Sequence, residues 1–151
     1  QECVKRSREA GIAWPLPPGL DETALQERLY RRVVPLSRTP QPDFAHLHAR
    51  RGDGSFNSYA EFTTALKLVA SGLGQRGLSS LHIHLSGIEY GPKGEKKHLP
   101  LAEADLKYKD LFKALIDLKA GGRIMCESPL MEEDALVMVK TYKRLAAKAA
   151  A

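Results

Sequence analysis

The residues of this 151-residue chain best suited to chemistry are its five histidines and the carboxylates near them. Asp43, His46 and His48 fall within one short run, His82 and His84 within a second, and His98 lies just beyond it. Glu127 closes a third apolar run, RIMCE, at residues 123–127. Imidazole nitrogen combined with carboxylate oxygen is the donor set of zinc and manganese sites. Paired ions of this kind hydrolyse phosphodiesters by activating water and stabilising the leaving oxygen. Each residue also has a plainer reading. A strand histidine is more often a hydrogen-bonded structural group, Asp43 could cap a turn, and Glu127 before Ser128 and Pro129 could cap a helix. The joint occurrence at three successive strand ends is what points to metal.

Something must bring these runs together, and the periodicity indicates how. Residues 43–49 (DFAHLHA) read as a strand, followed by a turn over 51–55. Residues 58–73 read as an amphipathic helix with Tyr59, Phe62, Leu66 and Val69 on one stripe. Leu81, Ile83 and Leu85 alternate with His82 and His84, which predicts a strand over 80–86. A Gly/Pro/Lys loop is expected over 87–97, then a helix over 103–120. A third strand follows over 123–127, then a last helix from Glu132. Acidic Glu132, Glu133 and Asp134 suit that helix's positive end. Repeated strand–helix units of this size predict an α/β fold with a parallel sheet and crossover helices. Active sites in such folds gather at the carboxyl ends of the strands. No GxGxxG or Walker-type loop follows any strand, so nucleotide binding lacks support.

Residues 1–42 are less regular. A helix is expected over 1–10 and another over 22–32. Residues 12–16 could form a short strand, but Pro15 within it and Pro17 and Pro18 just after it cripple it. The expected division is therefore a divergent Pro- and Arg-rich segment over 1–42 and βα units over 43–151. The net charge of +5 is spread along the chain and permits an anionic partner without requiring one. Two cysteines are too few for a disulfide scaffold and predict a cytoplasmic setting. No apolar run reaches the roughly 20 residues of a membrane span, so no membrane partner is expected.

Three segments, DFAHLHAR (43–50), HIHLSGIEYGPKGEKKHLPL (82–101) and IMCESP (124–129), together resemble the endonuclease IV family. These are zinc-dependent apurinic/apyrimidinic endonucleases on a TIM barrel related to xylose-isomerase-like barrels. The resemblance covers roughly residues 43–145 and implies a partial (β/α)8 TIM barrel made of C-terminal βα units with parallel strands. It implies Zn2+, or Mn2+ in its place, and DNA with abasic sites as the partner, cleaved 5′ of the lesion in base excision repair. Carried over by motif, the metal ligands are Asp43, His46, His84, His98 and Glu127, with Glu127 also the candidate catalytic residue. Asp43, His84 and Glu127 would share one zinc, and His46 and His98 another. His48 and His82 match no ligand. Arg50 and Arg51, beyond the first ligand run, are the candidate DNA contacts.

The chain departs from the family pattern in three places. The family's Asp two residues before the loop histidine is replaced by Lys96, and neighbouring Glu95 could serve only if the loop shifts by one residue. The bridging Glu expected near residues 14–20 is missing. Two further histidines belong to the first half of the barrel. A chain of this length matches about half of a ~250-residue barrel, starts without Met in a helix-like run, and reads as a piece of something longer. Two copies could associate to complete one barrel. The competing readings are a metal-dependent sugar isomerase or epimerase on the same barrel, and an inactive half-barrel remnant.

Overall fold

The computed structural model describes residues 40–151, so the expectations for residues 1–39 lie outside the described residues. The elements, in order, are α1 (Phe44–Ala49), α2 (Tyr59–Leu78), β1 (Leu81–Leu85), β2 (Gly87–Gly91), β3 (Gly94–Leu99), α3 (Tyr108–Asp117), β4 (Gly122–Cys126) and α4 (Glu132–Ala149). The fold is mixed α/β. β1 and β4 pair in parallel, with Ile83 opposite Ile124 and His84 opposite Met125, and α3 lies in the connection between them. On the other side of β1, residues 40–43 run extended: the His82 and His84 amides donate to the Pro40 and Pro42 carbonyls at 2.9 and 3.2 Å. Asp43 and His84 form a parallel bridge. Three parallel extended segments therefore end side by side. Gly122 is what lets β4 approach β1, because its φ is +128° and a side chain there would collide with the Leu81 backbone.

Two expectations are corrected. Residues 44–49 form a helix rather than a strand; the strand-like part ends at Asp43. The Asp43 carboxylate accepts from the His46 amide at 2.9 Å, satisfying one of the free amides of the first turn. Helical spacing then puts Phe44 with His48, and Ala45 with Ala49, on the buried face. Residues 87–97 are not a loop but most of an antiparallel hairpin, β2–β3. The hairpin sits on α1, where Ala45 and Ala49 are small enough for Ile88 and Tyr90 to pack directly against the helix.

The helices follow the sequence pattern more closely. α2 starts at the S-x-x-E signature: Ser58 caps the helix, and the Glu61 carboxylate accepts from the Phe56 and Asn57 amides, both at 2.9 Å. It runs further than residue 73, to Leu78, with non-helical backbone at Gly74. α3 begins at Tyr108, later than position 103. Phe62, Leu66 and Val69 of α2, Leu111, Phe112 and Leu115 of α3, and Leu81, Ile83 and Leu85 of β1 form the buried core. The β4–α4 side is less covered. Met125, Met131, Leu136 and Val139 are exposed. An apolar pocket of about 420 Å³ opens there among Ile83, Ile124, Phe112, Ala135, Met138 and Tyr142. Among the described residues no helix is long and apolar enough to cross a membrane.

Candidate metal centre

The carboxyl ends of the three extended segments bring Asp43, His84 and Glu127 together. Asp43 ends the first and His84 lies near the end of β1. Glu127 follows β4, where its amide donates to the Leu85 carbonyl at 3.0 Å. One ligand atom from each of the three lies within 4.8 Å of the others. The His84 Nδ1 contacts the Glu127 carboxylate at 2.6 Å. The ring of His82 stacks on that of His84, with centroids 5.1 Å apart and planes 19° from parallel.

A second cluster adjoins the first. His46 Nε2 meets Glu95 Oε2 at 2.6 Å, and His98 Nε2 meets Glu95 Oε1 at 3.4 Å. These three also offer ligand atoms within 4.8 Å of one another. Two contacts join the clusters. Asp43 Oδ2 meets His46 Nδ1 at 2.5 Å, and His98 Nδ1 donates to the main-chain carbonyl of Glu127 at 2.7 Å. A histidine whose Nδ1–H is held by a carbonyl presents Nε2 as its lone-pair nitrogen, the arrangement found behind most metal-ligating histidines. Glu127 thus serves one cluster with its side chain and orients the other with its backbone.

Glu95 reaches the cluster through a β-bulge. β2 and β3 pair Ile88 with His98 and Glu89 with Lys97, but Tyr90 pairs with Glu95, leaving Lys96 as the extra residue. Strict alternation would have placed Glu95 and His98 on opposite faces. The extra residue reverses the alternation, so both face α1 and His46. Lys96 and Lys97 both turn the other way, to Glu89, at 3.1 and 3.4 Å. The bulge therefore sets the Glu95 carboxylate against both His46 and His98. The sequence signal was the paired lysines, which no alternating strand pattern accommodates.

The electrostatics follow from these contacts. His46 sits between two carboxylates, and the hydrogen bond to Asp43 does most to push its pKa up to about 9, against the opposing effect of burial. Burial pushes the Asp43 carboxyl up, but the hydrogen bonds from His46 outweigh it and hold Asp43 below its usual value.

His48, which matched no ligand, is fully buried and stands apart from both clusters. Its Nε2 meets Asp105 at 2.9 Å and its Nδ1 meets the Ser55 carbonyl at 3.0 Å, while its ring lies edge-on to Tyr90. Tyr90 donates to the second Asp105 oxygen at 2.5 Å. This network ties α1, the following turn and the hairpin to residue 105, and sequence reasoning missed it. Donation to Asp105 pushes the Tyr90 hydroxyl up to about 12. The protonated phenol is favoured in the folded state. Its contribution to stability is therefore complete below the ordinary tyrosine value of about 10 and is lost as pH rises toward 12. Melting temperature followed across that window is expected to fall more steeply for the native chain than for Tyr90→Phe; parallel curves would refute the assignment. Arg50 and Arg51, exposed at the end of α1, are not part of either cluster.

Fold and site together define a mixed α/β protein with a His/carboxylate constellation at the carboxyl ends of parallel segments. No known family description matches the chain, and no solved structure matches it. The chain is similar to an uncharacterized protein of Methanocaldococcus jannaschii, 46% identical over 110 residues. That match takes in 73% of this chain and 40% of the relative, so the chain spans less than half the length of the protein it resembles.

Proposed function

We propose that the chain carries the C-terminal βα units of a zinc-dependent, endonuclease IV-like phosphodiesterase that cuts DNA 5′ of abasic sites. The observation that carries this reading is the convergence of Asp43, His84 and Glu127, from three distant parts of the sequence, on one spot at the strand ends. The donor chemistry fits the metal. One imidazole with two carboxylates, and two imidazoles with one carboxylate, are ligand sets that zinc or manganese accepts. Asp43, His84 and Glu127 would hold one ion, and His46, Glu95 and His98 the other. A bound ion would supply Lewis-acid stabilisation of the charge that develops on a phosphodiester. The chain's own groups do the positioning. Asp43 orients His46, the Glu127 carbonyl orients His98, and the hairpin bulge aims Glu95.

Placement on a partial (β/α)8 barrel is part of the same proposal. It is supported by the parallel β1–β4 pair, the helix between them, and the helix after β4. Among the described residues β4 pairs only with β1, and the apolar pocket beside it would suit further barrel units. Those units would come from more of the same polypeptide or from a second copy completing the barrel.

The test is zinc content and solution mass of the purified chain, with incision of a duplex bearing one abasic site, with and without chelator. Bound zinc, with incision that chelator abolishes, is the expected result. A chain that takes up no zinc at stoichiometric metal would overturn the proposal. Metal-dependent ketose turnover without incision would replace it with the isomerase reading.

A further inference from the structure

We propose that Asp134 is a positioning residue for both metal clusters. Its buried carboxylate locks the segment after β3 to the segment after β4, and so fixes where His98 and Glu127 stand. The inference rests on the metal-centre reading above and deepens it.

By sequence Asp134 is one of three acids that open α4, and the structure separates them. Glu132 and Glu133 are exposed, whereas Asp134 is only 5% exposed. A carboxylate taken out of water needs hydrogen-bond donors, and two segments supply them. The Leu101 amide donates to Asp134 Oδ2 at 2.8 Å, and the Ser128 hydroxyl donates to the same oxygen at 2.5 Å. Ser128 is itself buried, and its hydroxyl oxygen accepts from the Leu130 amide at 3.2 Å. The positive end of α4, in whose first turn Asp134 sits, favours the negative group. A leucine would fill the same space without the cost of burying a carboxylate, so what the acid adds is the direction of its two bonds.

Both donors lie next to candidate ligands. Leu101 stands three residues after His98, and Ser128 directly follows Glu127. The same two segments already meet where His98 Nδ1 donates to the Glu127 carbonyl at 2.7 Å. One hydrogen bond leaves two segments free to pivot about it, and a second one a few residues away removes that freedom. The Glu127 carbonyl also shares a planar peptide with the Ser128 nitrogen, so holding Ser128 constrains the direction in which that carbonyl points. Asp134 therefore acts at one remove on His98, which the carbonyl orients, and on Glu127, whose carboxylate meets His84 at 2.6 Å. One buried acid serves the Asp43–His84–Glu127 and His46–Glu95–His98 clusters together without touching either.

The experiment uses the full chain and two metals. Competition with a chromogenic chelator reads zinc affinity, and the visible spectrum of the cobalt(II)-loaded chain reads ligand geometry at a temperature well below melting. Asp134→Leu is expected to weaken zinc binding about tenfold, the low end of what loss of an orienting group costs, and to change the cobalt spectrum. Asp134→Asn keeps an oxygen able to accept both bonds and should restore native affinity and spectrum. Glu133→Gln removes a charge from the same turn and should alter neither. Ser128→Ala should change both in the direction of Asp134→Leu, and it provides the measurement if the leucine variant does not fold. Combining the two should cost less than the sum of the single losses, because they break the same bond. Native affinity and spectrum in Asp134→Leu and Ser128→Ala would overturn the proposal while leaving the metal centres standing. So would a loss in Asp134→Asn or Glu133→Gln equal to that in Asp134→Leu. A native chain that takes up neither zinc nor cobalt would overturn the metal-centre reading and this inference with it.

Discussion

Glu127→Gln is expected to empty the Asp43–His84–Glu127 centre of zinc while leaving the fold intact. The amide matches the carboxylate in size and can still hydrogen-bond His84, so little packing is disturbed. What is lost is the anionic oxygen. Removing a group that merely orients a metal ligand costs roughly 10–100-fold in affinity, and removal of a ligand itself should exceed the upper end of that range. The backbone carbonyl of residue 127, which holds His98 Nδ1 at 2.7 Å, is untouched by the change. The His46–Glu95–His98 cluster should therefore keep its ion. Zinc bound per chain after dialysis, set beside the native value, reads the outcome, and Glu89→Gln serves as the carboxylate control. Native zinc content in Glu127→Gln would sink the assignment of this centre.

Phe44→Ala is expected to be the most damaging single change to stability. Phe44 is completely buried, edge-on to Phe62 with centroids 5.7 Å apart and stacked with Phe56 at 6.2 Å. Emptying such a site costs about 3–5 kcal/mol, a large part of the roughly 5–15 kcal/mol that holds a domain folded. The consequence reaches the site because Phe44 directly follows Asp43. α1 has only six residues, too few to persist without tertiary support. When its anchor goes, Asp43 and His46 lose their fixed relation, and zinc affinity should drop although Phe44 is not a ligand. Urea unfolding midpoints measure the stability loss. Phe44→Leu should give a smaller, graded loss if the alanine variant does not fold. A shift below about 1 kcal/mol for the alanine variant would mean that the aromatic cluster is not the anchor proposed.

Elements with a signature in their own residues were legible in the sequence, and those decided by a distant or side-chain contact were less so. α2 and β1 show in their apolar periodicity, β4 as a short apolar run and α4 in its acidic first turn, and each starts within one residue of the expected position. The run DFAHLHA failed because two turns of helix can be read as alternation. Phe44, His46 and His48 obey period two, while Phe44 with His48 and Ala45 with Ala49 obey period four. Asp43 as an N-cap decides between them, and that is a contact between a side chain and an amide that periodicity does not encode. The hairpin failed for another reason. Glycine, proline and lysine read as loop, and the pairing that makes it a sheet depends on a partner strand. Residue type and position singled out Asp43, Glu127 and all five histidines, and the resemblance narrowed them to five; the structure gathers Asp43, His84 and Glu127 as one group and His46 with His98 as another. The network of His48, Asp105 and Tyr90 was invisible because Asp105 is 57 positions from His48.

The bulge at Lys96 bears on how ligands should be matched between related chains. A strand works like a two-hour clock, and the bulge resets it by one hour between Glu95 and Lys97. Column-by-column comparison with the endonuclease IV pattern that this chain resembles keeps the old time and reads Lys96 where that pattern has an acid. Equivalence in such a hairpin is a matter of phase, so a chain with its acid three places before the histidine and one with its acid two places before can present the same oxygen to the same neighbours. Whether a ligand has been lost is then decided by the strand's geometry, and a count of positions alone would have discarded Glu95.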